Sequence, residues 1–173
     1  MLQLGRDLDE RCRLRGSFVL RSGQEADEYF DKYLFESDPT LLRRVVERMT
    51  ELIPPDTQML GGLELGGIPL ATLLSSFTGL PTLFVRKRAK DYGTRRLAEG
   101  GDPHGRVVLL VEDVITTGGA VRAAADALHS MGAIVTHVVC AIDRTPPGSN
   151  PLRDAGITVE SVVTKELLDS LIP

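Results

Sequence analysis

The chain contains no tryptophan, and its five phenylalanines and three tyrosines leave aromatic residues at only 5%. Reading single-stranded nucleic acid by stacking requires repeated aromatic platforms, and this composition does not offer them. Cysteine is scarcer still. Cys12 and Cys140 stand far apart and form no metal-binding pattern, which points to packing in a reducing cytoplasm. Positive charge is not in excess: the formal net charge is -4, which argues against a general nucleic-acid binder. No apolar run is long enough to span a bilayer, so no membrane partner is expected. The first ten residues carry acids where a secretory leader needs a basic and then an apolar stretch, and a cytoplasmic location is expected. What remains is a chain of 173 residues, 42% hydrophobic and 25% charged, which suits one globular domain with its own core.

The most informative stretch runs from Val107 to Ala120. It begins with an apolar, β-branched run, Val107 to Val111, which reads as a buried strand. Glu112 and Asp113 follow at once, then Val114, Ile115, the hydroxyls Thr116 and Thr117, and Gly118 and Gly119. A helical run from Val121 to Met131 comes next. Glycines let backbone approach a ligand closely, and the free N–H groups and positive dipole end of a helix favour an anion. The carboxylates would repel a phosphate but can accept hydrogen bonds from a ribose 2′,3′-diol, or help hold a divalent ion nearby. Diol and phosphate together indicate a ribose 5-phosphate site. The plainer alternative is a strand–turn–helix junction with solvated acids.

Residues Val111 to Gly119 resemble the phosphoribosyl pyrophosphate (PRPP) signature of type I phosphoribosyltransferases. Two further stretches resemble the orotate phosphoribosyltransferases in particular. Phe18 to Gly23, followed by Tyr29 to Lys32, is similar to that family's N-terminal hood. The resemblance implies that Arg21 helps bind PRPP and that Tyr29 and Phe30 lie against the orotate ring; on residue type alone, both aromatics also suit the core of a small lobe. Arg86 to Gly93 is a dense cationic segment in an acidic protein, and it resembles the family's mobile catalytic loop. That match implies Lys90 as the central catalytic cation, Arg86 and Lys87 on phosphate oxygens, and Tyr92 as a further PRPP contact. Read without the resemblance, the segment is a solvated charge run or a nucleic-acid patch. In the family this loop reaches the neighbouring subunit's site, so a homodimer is implied.

The remaining roles follow from the same resemblance. Glu112 and Asp113 are expected to hold the ribose diol, and Val114, Ile115, Thr116, Thr117, Gly118, Gly119 and Ala120 to cradle the 5-phosphate. Thr116 is also expected near orotate, and Arg144 is expected to pair with the orotate carboxylate, a task suited to a guanidinium fork. The alternative for Arg144 is a surface arginine at a strand end. Mg²⁺ is implied as cofactor, held mainly through PRPP with no direct protein ligand. The chain departs from the family pattern in three places. Gly66 stands where many members have lysine, Tyr92 where many have histidine, and Glu112 where aspartate is common.

Elsewhere the pattern is that of alternating helices and strands. Leu4, Leu8 and Cys12 give an amphipathic helix from Leu2 to Leu14. Asp38 and Pro39 open a second helix with Leu42, Val45, Val46 and Met49 inward, and Pro54 and Pro55 end it. Strands are expected at 58–61, 81–86, 133–142 and 157–162, with Thr164 capping a terminal helix from Lys165 to Leu171. This predicts an α/β fold, a mainly parallel sheet flanked by helices, with the ligand at the carboxyl ends of the strands. Residues 1–173 are expected to form one domain, with a hood at about 14–35 and a catalytic loop at about 86–105. The expected activity is phosphoribosyl transfer from PRPP to orotate. The rivals are transfer to another base and a PRPP-sensing regulator that binds nucleic acid.

Overall fold

The computed structural model describes residues 2–19, 23–88, 97–146, 148, 149 and 151–171. Its centre is a six-stranded sheet in the order β5-β4-β3-β6-β7-β8. The strands are β3 (Met59–Leu63), β4 (Thr82–Val85), β5 (Ala98–Glu99), β6 (Val108–Ile115), β7 (His137–Asp143) and β8 (Thr158–Thr164). All neighbouring pairs are parallel except β4 with β5. The inner parallel strands are largely apolar because both faces are covered: all five residues of β3 are buried, whereas the edge strand β8 is half polar. The antiparallel edge pair lay outside the expectation, since a two-residue strand carries no periodic signal.

Side-chain alternation divides the core in two. From β6, Leu109 and Val111 enter one cluster with Val45 and Val46 of α3 (Pro39–Thr50) and Leu70 and Leu74 of α4 (Gly67–Thr78). Leu4 and Leu8 of α1 (Leu2–Cys12) and Leu168 of α6 (Lys165–Ser170) complete that face. Val108 and Leu110 enter the other cluster with Val121, Ala125 and Leu128 of α5 (Gly119–Ser130). The same alternation fixes which face each acid of the Glu112–Asp113 pair must take.

The helix ends follow local chemistry. Asp38 caps α3 by accepting from the Thr40 and Leu41 N–H groups, with Pro39 in the first turn. The inward face of α3 uses Leu41, Val45, Val46 and Met49, and Leu42 is only partly buried, one position off the expected face. The Thr164 side chain caps α6 by accepting from the Leu167 N–H. Strand β7 begins at His137 rather than Ala133, because Ile134 makes only an isolated bridge to Val107.

Outside the sheet, β1 (Arg13–Val19) and β2 (Glu25–Phe30) form an antiparallel pair. A single helical turn follows, α2 (Tyr33–Glu36), which sequence periodicity is too short to reveal. Phe35 from this turn is fully buried and ties the N-terminal strands to the helical layer.

Candidate active site

The carboxyl ends of β3, β6 and β7 meet at one edge of the sheet. There β6 gives way to Thr116 and Thr117, both exposed, and then to α5. Gly118 caps α5 in a left-handed conformation, with φ +72°. A side chain there would be strained, and its Cβ would lie 2.9 Å from Leu152. Leu152 is itself fully buried, so the loop rests on a firm floor. A recess of about 270 Å³ is lined by residues 112 and 114–121. Exposed backbone N–H groups at a helix start and two hydroxyls suit a phosphate in this recess.

The two acids part at the strand end. Glu112 takes the α5 face and lines the recess; it is 7% exposed, and its Oε1 accepts from the Asp113 N–H at 3.0 Å. Asp113 takes the opposite face and is fully buried. Its Oδ2 accepts from Lys32 Nζ at 2.5 Å, and its Oδ1 accepts from the Val114 N–H at 2.5 Å. Burial pushes the Glu112 carboxyl up to about 9, with the Asp113 carboxylate adding to the rise. Burial acts on Asp113 in the same direction, but hydrogen bonds from Glu112 and Lys32 outweigh it and hold its pKa below the ordinary value. Asp113 is therefore the ionised member, balanced by Lys32. The expectation that both carboxylates face a ribose side by side meets a geometry in which Glu112 alone borders the recess.

Against Asp113 lies the turn between β3 and α4. This turn contains a cis peptide between Glu64 and Leu65, and it brings Gly66 directly over the acid. A Cβ at position 66 would lie 1.7 Å from Asp113 Oδ2 and 2.5 Å from Glu36 Oε1. No side chain fits there, which is the physical reason for glycine at this position. Glu64 also holds the base of the cationic segment: its Oε2 accepts from the Lys87 N–H at 2.9 Å, and the Arg86 N–H donates to the Leu97 carbonyl.

On the third side stands Arg144, at the end of β7, where its N–H donates to the Ile115 carbonyl. Its guanidinium carbon lies 5.2 Å from the centre of the Phe30 ring. Phe30 and Tyr29 are neighbours on one strand and point to opposite faces. Tyr29 is 44% exposed and packs against Phe18, with ring centres 5.7 Å apart. The structure thus brings Phe30 to Arg144 and leaves Tyr29 on the other side. Arg21, Lys90 and Tyr92 lie outside the described residues.

Residues 47–162 match the phosphoribosyl transferase domain. An orotate phosphoribosyltransferase from Nocardioides sp. is 62% identical over 167 residues, spanning 96% of this chain and 93% of the relative. The chain belongs to the orotate phosphoribosyltransferase family. Solved structures of other orotate phosphoribosyltransferases agree in shape. That from Aeropyrum pernix has a TM-score of 0.82 at 30% identity, covering 97% of both chains. That from Mycobacterium tuberculosis, in complex with PRPP, has a TM-score of 0.80 at 27% identity, covering 97% of this chain and 98% of that one.

Within this orotate phosphoribosyltransferase chain, two site residues escaped the sequence reading: Lys32 and Glu36. A usable signal was present, since their spacing of four places both on one face of a helical turn. What hid it was the shortness of α2.

Proposed function

We propose that this chain transfers the 5-phosphoribosyl group of PRPP to orotate, giving orotidine 5′-monophosphate and diphosphate for pyrimidine nucleotide synthesis. The observation that carries the reading is the Phe30–Arg144 pair beside the recess of residues 112 and 114–121. A flat, anionic heterocycle gains from an aromatic face and a guanidinium fork held next to it. The recess gains from a ribose phosphate. Similarity to a protein solved with PRPP supports the second half of the pairing.

In this reading Thr116, Thr117 and the N–H groups of 118–120 hold the 5-phosphate, with Val114 and Ile115 shaping the strand end behind them. Glu112 accepts from the ribose diol, and Asp113 fixes the turn at Gly66 from beneath. Arg86 and Lys87, at the base of the cationic segment, face the diphosphate, with Lys90, Tyr92 and Arg21 as further PRPP contacts by family resemblance. The bond from the ribose anomeric carbon to diphosphate oxygen breaks, and its electron pair leaves with diphosphate. A bond from an orotate ring nitrogen to that carbon forms, and the ring proton passes to solvent. Orotate is acidic at its ring positions, so a strong protein base is not required.

Mg²⁺ belongs to this reading as a partner of the substrate. Glu112 and Asp113 are buried and already engaged, which fits an ion carried by phosphate and ribose oxygens better than one held by the protein. When bound, the ion neutralises charge on the leaving diphosphate. Residues 1–173 act as one domain whose hood, about 14–35, supplies Phe30, and whose loop, about 86–105, is shared across a homodimer. A cytoplasmic setting suits the free, buried Cys12 and Cys140, and no described helix is long and apolar enough to cross a membrane.

A panel of bases tests the reading. With PRPP and Mg²⁺, orotate should be consumed while uracil, adenine and hypoxanthine are not. Preference for a base lacking a carboxylate would shift the assignment to another base.

A further inference from the structure

Glu36 Oε1 is buried and meets no N–H donor. Its neighbour is a carboxylate: Asp113 Oδ2 and Glu36 Oε1 both crowd the point where a Cβ of residue 66 would stand. Two carboxylates in such contact cannot both ionise, and the proton belongs on the one without a cation. Lys32 pairs with Asp113, so Glu36 carries the proton and donates it to Asp113. Burial and the Asp113 carboxylate accordingly push Glu36 up to about 8. Asp31, Lys32 and Asp113 are the charged groups that act on Glu36, and Glu112 acts on Lys32.

Lys32 and Glu36 bracket one turn of helix, α2, so a single rigid turn presents an ammonium and a carboxyl to the same acid. Phe35, fully buried between them, locks that turn into the core. We infer that Lys32 and Glu36 are positioning residues that clamp Asp113 beneath Gly66 and so fix the turn between β3 and α4 against the ribose-binding strand end. The inference rests on the proposed use of PRPP. A shared-proton carboxyl pair occupies the place left by the absent side chain at position 66, with its balancing cation supplied by the turn that follows the hood strands.

The test separates substrate binding from folding. Glu36→Gln keeps a donor to Asp113, whereas Glu36→Leu and Lys32→Met remove one each. Loss of a hydrogen bond to a buried charge predicts a rise of about tenfold or more in KM for PRPP with the last two. KM for orotate and the far-ultraviolet circular dichroism should stay at wild-type values, and Glu36→Gln should restore KM for PRPP. The Lys32→Met/Asp113→Asn double variant should be no worse than Asp113→Asn alone. Unchanged KM for PRPP in both Glu36→Leu and Lys32→Met overturns the inference. So does a KM for orotate that rises in parallel. If Glu36→Leu does not fold, Lys32→Met decides alone. Failure of the wild-type protein to use PRPP overturns the functional reading instead. The clamp is then read in ligand-free protein by carbon-13 NMR: a Glu36 carboxyl still protonated near neutral pH supports it, and one ionised like an exposed glutamate overturns it.

Discussion

The Arg144 guanidinium lies over the face of the Phe30 ring, joining the last residues of a central strand to the edge of a separate two-stranded sheet. Cation and ring together make a wall for a planar anion. Arg144→Ala should raise KM for orotate by about ten- to a hundredfold, the range of one charge-assisted hydrogen-bonding group. KM for PRPP should change little. Steady-state kinetics with each substrate varied in turn checks this, and equal rises in both would remove Arg144 from the base site.

Stability should depend on pH in an unusual direction for an acidic protein. Glu36 and Glu112 are raised to about 8 and about 9 in the folded chain, from 4.5 in the unfolded one. Between those values the folded chain keeps protons that the unfolded chain has released. Raising pH through that window therefore favours unfolding. The lowered Asp113 works the other way, but its stabilisation is lost only as pH falls below the ordinary carboxylate range. The thermal midpoint should fall between about pH 5 and pH 9, and Glu36→Gln should flatten the fall. A wild-type midpoint that rises across this range contradicts the protonated assignment.

Gly118→Ala should damage the phosphate loop and the fold together. Its left-handed backbone costs a residue with a side chain about 1–2 kcal/mol, and the clash with buried Leu152 adds to that. Thermal denaturation and KM for PRPP should both worsen. Thr117→Ala, on an exposed residue of the same loop, should weaken PRPP binding with little loss of stability.

Much of this was legible in the sequence because the relevant signals are local. The run from Val107 to Gly119 announces strand, acid pair and glycines ahead of a helix within thirteen residues, and the helix starts at Gly119, two residues before the Val121 expected. Asp38 and Thr164 were readable as caps because capping is decided by one side chain and its own next turn. What was not legible depends on contacts distant in sequence. That Asp113 turns inward to Lys32, 81 positions away, follows from strand alternation and the covering layer, not from the motif. That only Phe30 of the aromatic pair reaches Arg144 follows from the register of β1 with β2. Gly66 reads in sequence only as glycine where many members have lysine; the structure shows the space filled by two carboxyl groups.

The central claim is tested most directly by following the ultraviolet absorbance of orotate mixed with PRPP, Mg²⁺ and purified protein. Ribosylation of the ring nitrogen changes that spectrum. The account predicts a change that requires both PRPP and Mg²⁺, disappears in Lys90→Ala and is accompanied by one diphosphate per orotate consumed. An unchanged spectrum from folded protein that still binds PRPP would contradict it.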